Sequence, residues 1–130
     1  MIGVTAHGVY IPRARLNKKS IAAANAWFDG SLNSLAKGER AICNWDEDTI
    51  TMAVEAAKNC LASSNFEKIK SLYLASTTFP FTDRQNSVVV SEALNLQSNI
   101  RTMDIGASQR SATSSLISLL ESSMESDALL

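Results

Sequence analysis

Residues 100–120 read IRTMDIGASQRSATSSLISLL, and the organisation of the chain follows from them. Ile100 to Ile105 is a short apolar-rich run of strand length. Gly106 and Ala107 make a turn, and from about Ser108 a helical pattern carries Leu116, Leu119, Leu120 and, further on, Met124 inward. A strand that turns directly into a helix sets the side chains at the turn, Ser108 and Gln109, beside free helical N–H groups, where negative charge is stabilised. Such a turn seats an activated nucleophile well.

Working outward, Arg84 to Leu94 reads as a helix and Ile69 to Ser76 as a strand buried on both faces, with the loop Thr77–Phe81 at its carboxyl end. Asp46-Glu47-Asp48-Thr49 opens the clearest helix. Its acids face the positive end of the helix dipole, Asp or Thr can cap free N–H groups, and Ile50, Val54, Ala57 and Leu61 form one apolar stripe. Upstream, a loop runs through Gly38, and Ile21, Ala24 and Phe28 recur at helical spacing after Ser20, closing near Asp29-Gly30. Ile2 to Ile11 alternates loosely and stops at Pro12, which predicts a first strand.

The expected order is β-α-α-β-α-β-α, an α/β fold with a mostly parallel sheet flanked by helices. Asp127-Ala128-Leu129-Leu130 looks like half of another buried strand. The expectation is one domain portion, residues 1–130, cut from a larger fold, with Leu116, Leu119 and Leu120 left partly uncovered.

Composition limits the function. The 130 residues are 45% hydrophobic and 19% charged, so a packed core is expected, and domains of about 100 to 200 residues are the rule. Twelve Lys and Arg against thirteen Asp and Glu give a net charge of -1 and a pI near 5.8, with no footprint for nucleic acid or an anionic membrane. No run reaches the roughly 20 apolar residues of a membrane span, and Met1–Thr5 lacks a secretory pattern, which predicts a cytoplasmic protein. Cys43 and Cys60 match no zinc spacing and read as structural thiols, and His7 reads as a structural strand residue. No metal site is expected. Ligands of open α/β sheets bind at the carboxyl ends of strands, so the loops 76–81 and 106–110 are the places to look.

Four stretches together resemble the hydroxymethylglutaryl-CoA (HMG-CoA) synthase and ketoacyl-ACP synthase III branch of the thiolase superfamily: GVYIPRARL (8–16), NWDEDTITMAVEAAKNCL (44–61), LYLASTTFPF (72–81) and DIGASQRSATSSL (104–116). The resemblance implies a thiolase-like fold, of which this is the N-terminal part. It also implies a dimer, an acyl-CoA ligand and no permanently bound cofactor. Active members carry a cysteine at the strand-to-helix turn, where the helix terminus favours its thiolate. The matching position here is Gln109, with Asp104, Ala107, Arg110 and Thr113 fixing the register. HMG-CoA synthases carry a glutamate general acid/base after the preceding strand, and the matching residue is Thr77. Glutamine cannot form a thioester, so cysteine-dependent condensation is not expected.

Ser108 and Ser111 offer hydroxyls at the helix start, but with no adjacent base they read as capping residues. The family's remaining histidine and asparagine, or second histidine, belong to the other half of the fold. A tryptophan and cations that hold CoA in the family have loose counterparts in Trp27, Lys37 and Arg40. The competing reading, which the loose spacing favours, is a core tryptophan and solvated surface charges. The leading expectation is an acyl-CoA-handling subunit for binding or assembly, partnered with itself or with a thiolase or an OB-fold/zinc-ribbon protein. The alternative is an active acyltransferase or decarboxylating condensing enzyme that uses Gln109, placed in the first helical turn and facing the pocket, together with residues beyond this chain.

Overall fold

In the computed structural model of the chain, residues 2–62, 66–122 and 126–130 are described. The elements are β1 (Ala14–Asn17), α1 (Lys18–Asn25), α2 (Leu32–Leu35), β2 (Glu39–Ile42), α3 (Thr49–Leu61), β3 (Ile69–Ala75), α4 (Asn86–Ala93), β4 (Arg101–Ile105), α5 (Ser111–Glu121) and β5 (Asp127–Leu129). They fall into two compact units, Ile11–Glu47 and the remainder, Met1–Tyr10 with Asp48–Leu130.

In the Ile11–Glu47 unit, β1 and β2 pair antiparallel, from Ala14 opposite Ile42 to Asn17 opposite Glu39. Asn17 then caps α1, its Oδ1 accepting from the Lys19 N–H at 2.9 Å. Gly38, at φ +76°, makes the turn into β2 in a conformation that side chains resist, and its carbonyl accepts from the Lys18 N–H at 3.0 Å. This ribbon was not expected: Arg15, Glu39 and Arg40 break the apolar alternation that marks a half-buried strand.

The first strand predicted over Ile2–Ile11 is corrected. That segment joins no sheet and His7 is exposed; β3 is flanked by β4 on one side and β5 on the other. The segment instead lies along α3. The Val9 N–H donates to Asn59 Oδ1 at 3.1 Å, and Gly8 sits so close that an added Cβ would stand 2.3 Å from the Ala56 carbonyl oxygen and the Cys60 nitrogen.

The larger unit forms as its sequence predicts. Asp48 caps α3 by accepting from the Thr51 N–H at 2.8 Å, and Thr51 Oγ1 accepts from the Asp48 N–H at 2.8 Å, a reciprocal capping box. Of the three acids at this start, Asp48 is the one that caps. Ile50, Val54, Ala57 and Leu61 are all buried, and the first three pack with Leu72, Leu74, Val90 and Leu94 in the core. The sheet is parallel throughout, in the order β4-β3-β5. Ser71 stands opposite Arg101 and Ala75 opposite Ile105, while β5 adds three residues with a bulge between Ile69 and Ser71.

A second correction concerns α5. Its buried residues are Ser111 and Ser115, whereas Leu116 and Leu120 keep 37% and 39% of their surface and Ile117 keeps 50%. The helix therefore turns a small hydroxyl face inward and leaves Leu116 and Leu120 partly uncovered. Met124 lies outside the described residues. A cleft of about 970 Å³ runs between α3, β3, α5 and β5, lined in part by Leu116, Leu119 and Leu120.

Candidate functional site

The carboxyl ends of β3 and β4 lie side by side, since Ala75 pairs with Ile105 and the Ser76 N–H donates to the Ile105 carbonyl at 3.1 Å. The chain leaves β4 at Gly106, where a Cβ would meet Phe79 Cε2 at 3.2 Å and the Ser76 carbonyl at 3.4 Å, so glycine lets the two loops approach. Ala107 follows at φ +66°, a left-handed conformation uncommon outside glycine and asparagine, and this local strain reverses the chain ahead of the helix.

Gln109 lies in the turn before α5, not in its first turn as expected, because Ser108 organises the entry. Ser108 Oγ accepts from the Arg110 N–H at 3.1 Å and the Ser108 carbonyl from the Ser111 N–H at 3.1 Å, which delays the helix to Ser111 with Arg110 as its cap. Ser111 Oγ is within 2.9 Å of the Gly106 carbonyl and 2.7 Å of the Ser108 carbonyl, so its proton is spent within the turn. Both serines hold the backbone here.

Gln109 and Thr77 line one cavity of about 290 Å³, together with Ala75, Ser76, Ser108, Ser111 and Ala112. The two positions picked from the sequence thus come together. Behind Thr77 lies a hydroxyl cluster. Thr49 Oγ1 is 3.2 Å from Ser76 Oγ and 2.9 Å from the Thr78 carbonyl, and Ser76 Oγ accepts from the Thr78 N–H at 3.0 Å. Thr49 is the first residue of α3, so the capped helix also anchors this loop.

Asp104 and Asn86 hold the site from below, and sequence reading missed their pairing. Gln85 gives α4 no side-chain cap. Asp104 supplies it from β4 instead, accepting from the Asn86 N–H at 2.6 Å, Asn86 Nδ2 at 2.9 Å and the Ser87 N–H at 2.7 Å. Asn86, 1% exposed, also accepts from the Phe81 N–H and donates to the Phe81 carbonyl, tying the loop after β3 to the end of β4. Burial pushes the Asp104 carboxyl up, but the hydrogen bonds from Ser87 and Asn86 more than reverse this and hold it below the usual carboxylate range. The Ser87 hydroxyl, fully buried, has no partner among the described residues, so its backbone N–H makes the contact. An Asp at the end of a strand and an Asn at a helix start were the available signals, but only the fold shows that they meet.

Trp27, Lys37 and Arg40 lie in the other unit, all exposed. Trp27 keeps 84% of its surface, which overturns the core-tryptophan reading, and its ring meets Phe28 edge-on at 5.9 Å and 66°. Among the described residues no cation stands over the Trp27 ring, no cluster of three metal-binding side chains occurs, and no helix is long and apolar enough to cross a membrane.

No protein-family model matches the chain. It is 31% identical over 121 residues to a hydroxymethylglutaryl-CoA synthase of Methanosarcina barkeri and 30% identical over 122 residues to that of Methanocaldococcus jannaschii, covering 88% and 89% of this chain. The chain spans about a third, 34%, of the length of these curated relatives. Among solved structures, the curacin-pathway HMG synthase in complex with acetyl donor-ACP aligns with a TM-score of 0.77 at 25% identity, over 92% of this chain and 30% of that one. MvaS in complex with 3-hydroxy-3-methylglutaryl coenzyme A aligns at 0.78 and 22%, over 92% and 29%. The ketoacyl-ACP synthase III of Thermus thermophilus aligns at 0.74 and 18%, over 89% and 36%. The last two likenesses speak to the fold.

Proposed function

This chain is thiolase-like and similar to the hydroxymethylglutaryl-CoA synthases over a third of their length, and from that premise we propose that it handles acyl-CoA as a binding or assembly subunit without cysteine-dependent condensation. The observation that carries the proposal is Gln109, an amide at the turn where the family resemblance implies a nucleophilic thiol. Cys43 and Cys60 stand elsewhere, the first between β2 and α3 and the second within α3.

Coenzyme A or an acyl carrier protein is the carrier expected, as in the complexes of the curacin HMG synthase and of MvaS. Charge distribution supports an anionic carrier on the Ile11–Glu47 unit, which holds six Lys and Arg against four Asp and Glu, while the rest of the chain holds six against nine. Trp27, Lys37 and Arg40, exposed on that unit, are the groups proposed to meet its base and phosphates. Self-association, and association with a thiolase or an OB-fold/zinc-ribbon protein, belong to the same proposal and rest on the resemblance. So does the assignment of all 130 residues to one portion of a thiolase-like domain.

The shared cavity of Thr77 and Gln109 favours a second reading, an active acyltransferase or decarboxylating enzyme in which the Gln109 amide holds an acyl carbonyl or enolate while groups beyond this chain move protons. Intact-mass measurement after incubation with acetyl-CoA tests the first reading. We expect no adduct, and a stable acyl increment that maps to Ser108 or Ser111 overturns it. In the Gln109→Cys variant, the start of α5 should make the new thiol alkylate faster than Cys43 and Cys60. Equal rates would show that residue 109 is not at the nucleophile position.

A further inference from the structure

We infer that the cavity between the ends of β3 and β4 takes a short, uncharged, hydroxylated acyl group, of the 3-hydroxyacyl class, and discriminates against carboxylated and long-chain acyl groups. This rests on the acyl-carrier reading above and names the ligand class of the same site.

The polar groups around the cavity are not equally available. Ser76 Oγ is engaged with Thr49 and with the Thr78 N–H, and Ser111 Oγ is spent on the carbonyls of Gly106 and Ser108. Ser108 Oγ accepts from the Arg110 N–H and keeps its own proton to give. Thr77 and Gln109 have no hydrogen bond within the described protein, so a ligand meets one hydroxyl and one carboxamide that can each donate and accept. An acyl carbonyl needs donors, and a neighbouring hydroxyl needs both a donor and an acceptor. The free groups of Thr77, Ser108 and Gln109 match that set.

Charge decides against a carboxylate. Among the described residues, no Lys, Arg or His lines the cavity. At the start of α5 the N–H groups of Arg110 and Ser111 bond to Ser108, while those of Ala112 and Thr113 meet no acceptor among the described residues; with no cation behind them they suit the partial charge of a carbonyl oxygen better than the full charge of a carboxylate. Apolar surface decides against a long chain. Ala75 and Ala112 are the apolar residues of the lining, so added methylenes would lie against hydroxyls and find little to cover them.

The test is calorimetric titration of the 130-residue chain with a series sharing one carrier: free CoA, acetyl-CoA, 3-hydroxybutyryl-CoA, malonyl-CoA, hydroxymethylglutaryl-CoA and octanoyl-CoA. 3-Hydroxybutyryl-CoA should bind about tenfold more tightly than the malonyl, hydroxymethylglutaryl and octanoyl thioesters, the margin of one well-made hydrogen bond to a charged or polar partner. Thr77→Val together with Gln109→Leu should erase that margin, and Gln109→Arg should shift preference to malonyl-CoA. A carboxylated or octanoyl thioester binding as tightly as the hydroxyacyl one overturns the inference while the acyl-carrier reading stands, and so does a margin that survives the double substitution. No binding of any member, free CoA included, overturns both.

Discussion

At the residue scale, Asp104 carries more structure than its single charge implies. Its carboxylate replaces the missing cap of α4 and, through Asn86, fixes the loop that leads away from Thr77. Asp104→Asn keeps the shape but removes the charge, and should cost about 1–3 kcal/mol in urea denaturation, the range for hydrogen bonds to an ionised group. Because the folded carboxyl titrates below its unfolded value, its contribution is complete above the unfolded pKa, about 4, and is lost as pH falls through the lower folded value. Wild-type stability should therefore drop more steeply than that of Asp104→Asn on acidification below about pH 4. Gly106 invites a second measurement. Gly106→Ala puts a methyl 3.2 Å from Phe79 Cε2 and should destabilise by about 1–3 kcal/mol, and Phe79→Leu in the same chain should recover part of that loss, a coupling that a double-mutant cycle reads directly.

At the element scale, sequence pattern was most reliable where one element's own residues determine it. The stripe Ile50, Val54, Ala57 and Leu61 and the cap Asp48 mark α3 almost to the residue, and Asp48→Ala should lower its stability by about 1 kcal/mol in a thermal melt. β3, β4 and the three-residue β5 lie where short apolar runs placed them. Pattern failed where a partner decides. Ile2–Ile11 alternates like a strand yet packs along α3 and joins no sheet, and Gly8, the residue that seats it there, shows its role only in the distances to Ala56 and Cys60. Gly8→Ala should lift that segment and expose it to limited proteolysis, with the first cleavages falling before Pro12. At the site, the strand-to-helix turn drew attention to Ser108 and Gln109, and the family resemblance to Gln109 and Thr77. The capping carboxylate of Asp104 and the hydroxyls of Thr49 and Ser76 were not, because residues 18 and 27 positions apart meet only through the sheet.

At the scale of the whole molecule, apolar surface is unevenly spent. Leu72, 2% exposed, lies in the core, and Leu72→Ala should cost about 2–5 kcal/mol. Leu116→Ala and Leu120→Ala, each at a residue more than a third exposed, should cost well under half of that and should also reduce binding of a hydrophobic fluorescent dye to the cleft beside α5. Equal losses at all three positions would place the α5 leucines in the core after all.

The bulge between Ile69 and Ser71 has its consequence in time. β5 holds β3 through three residues across an irregular ladder, whereas β4 holds it through five in unbroken register. Opening β5 breaks few bonds and uncovers little apolar area, so it should open far more often than the chain unfolds. In hydrogen–deuterium exchange, the amides of Asp127–Leu129 should exchange by this local fluctuation, orders of magnitude faster than those of Leu72–Leu74, whose exchange awaits global unfolding. The sheet would then breathe from one side only, away from the edge that carries Gln109.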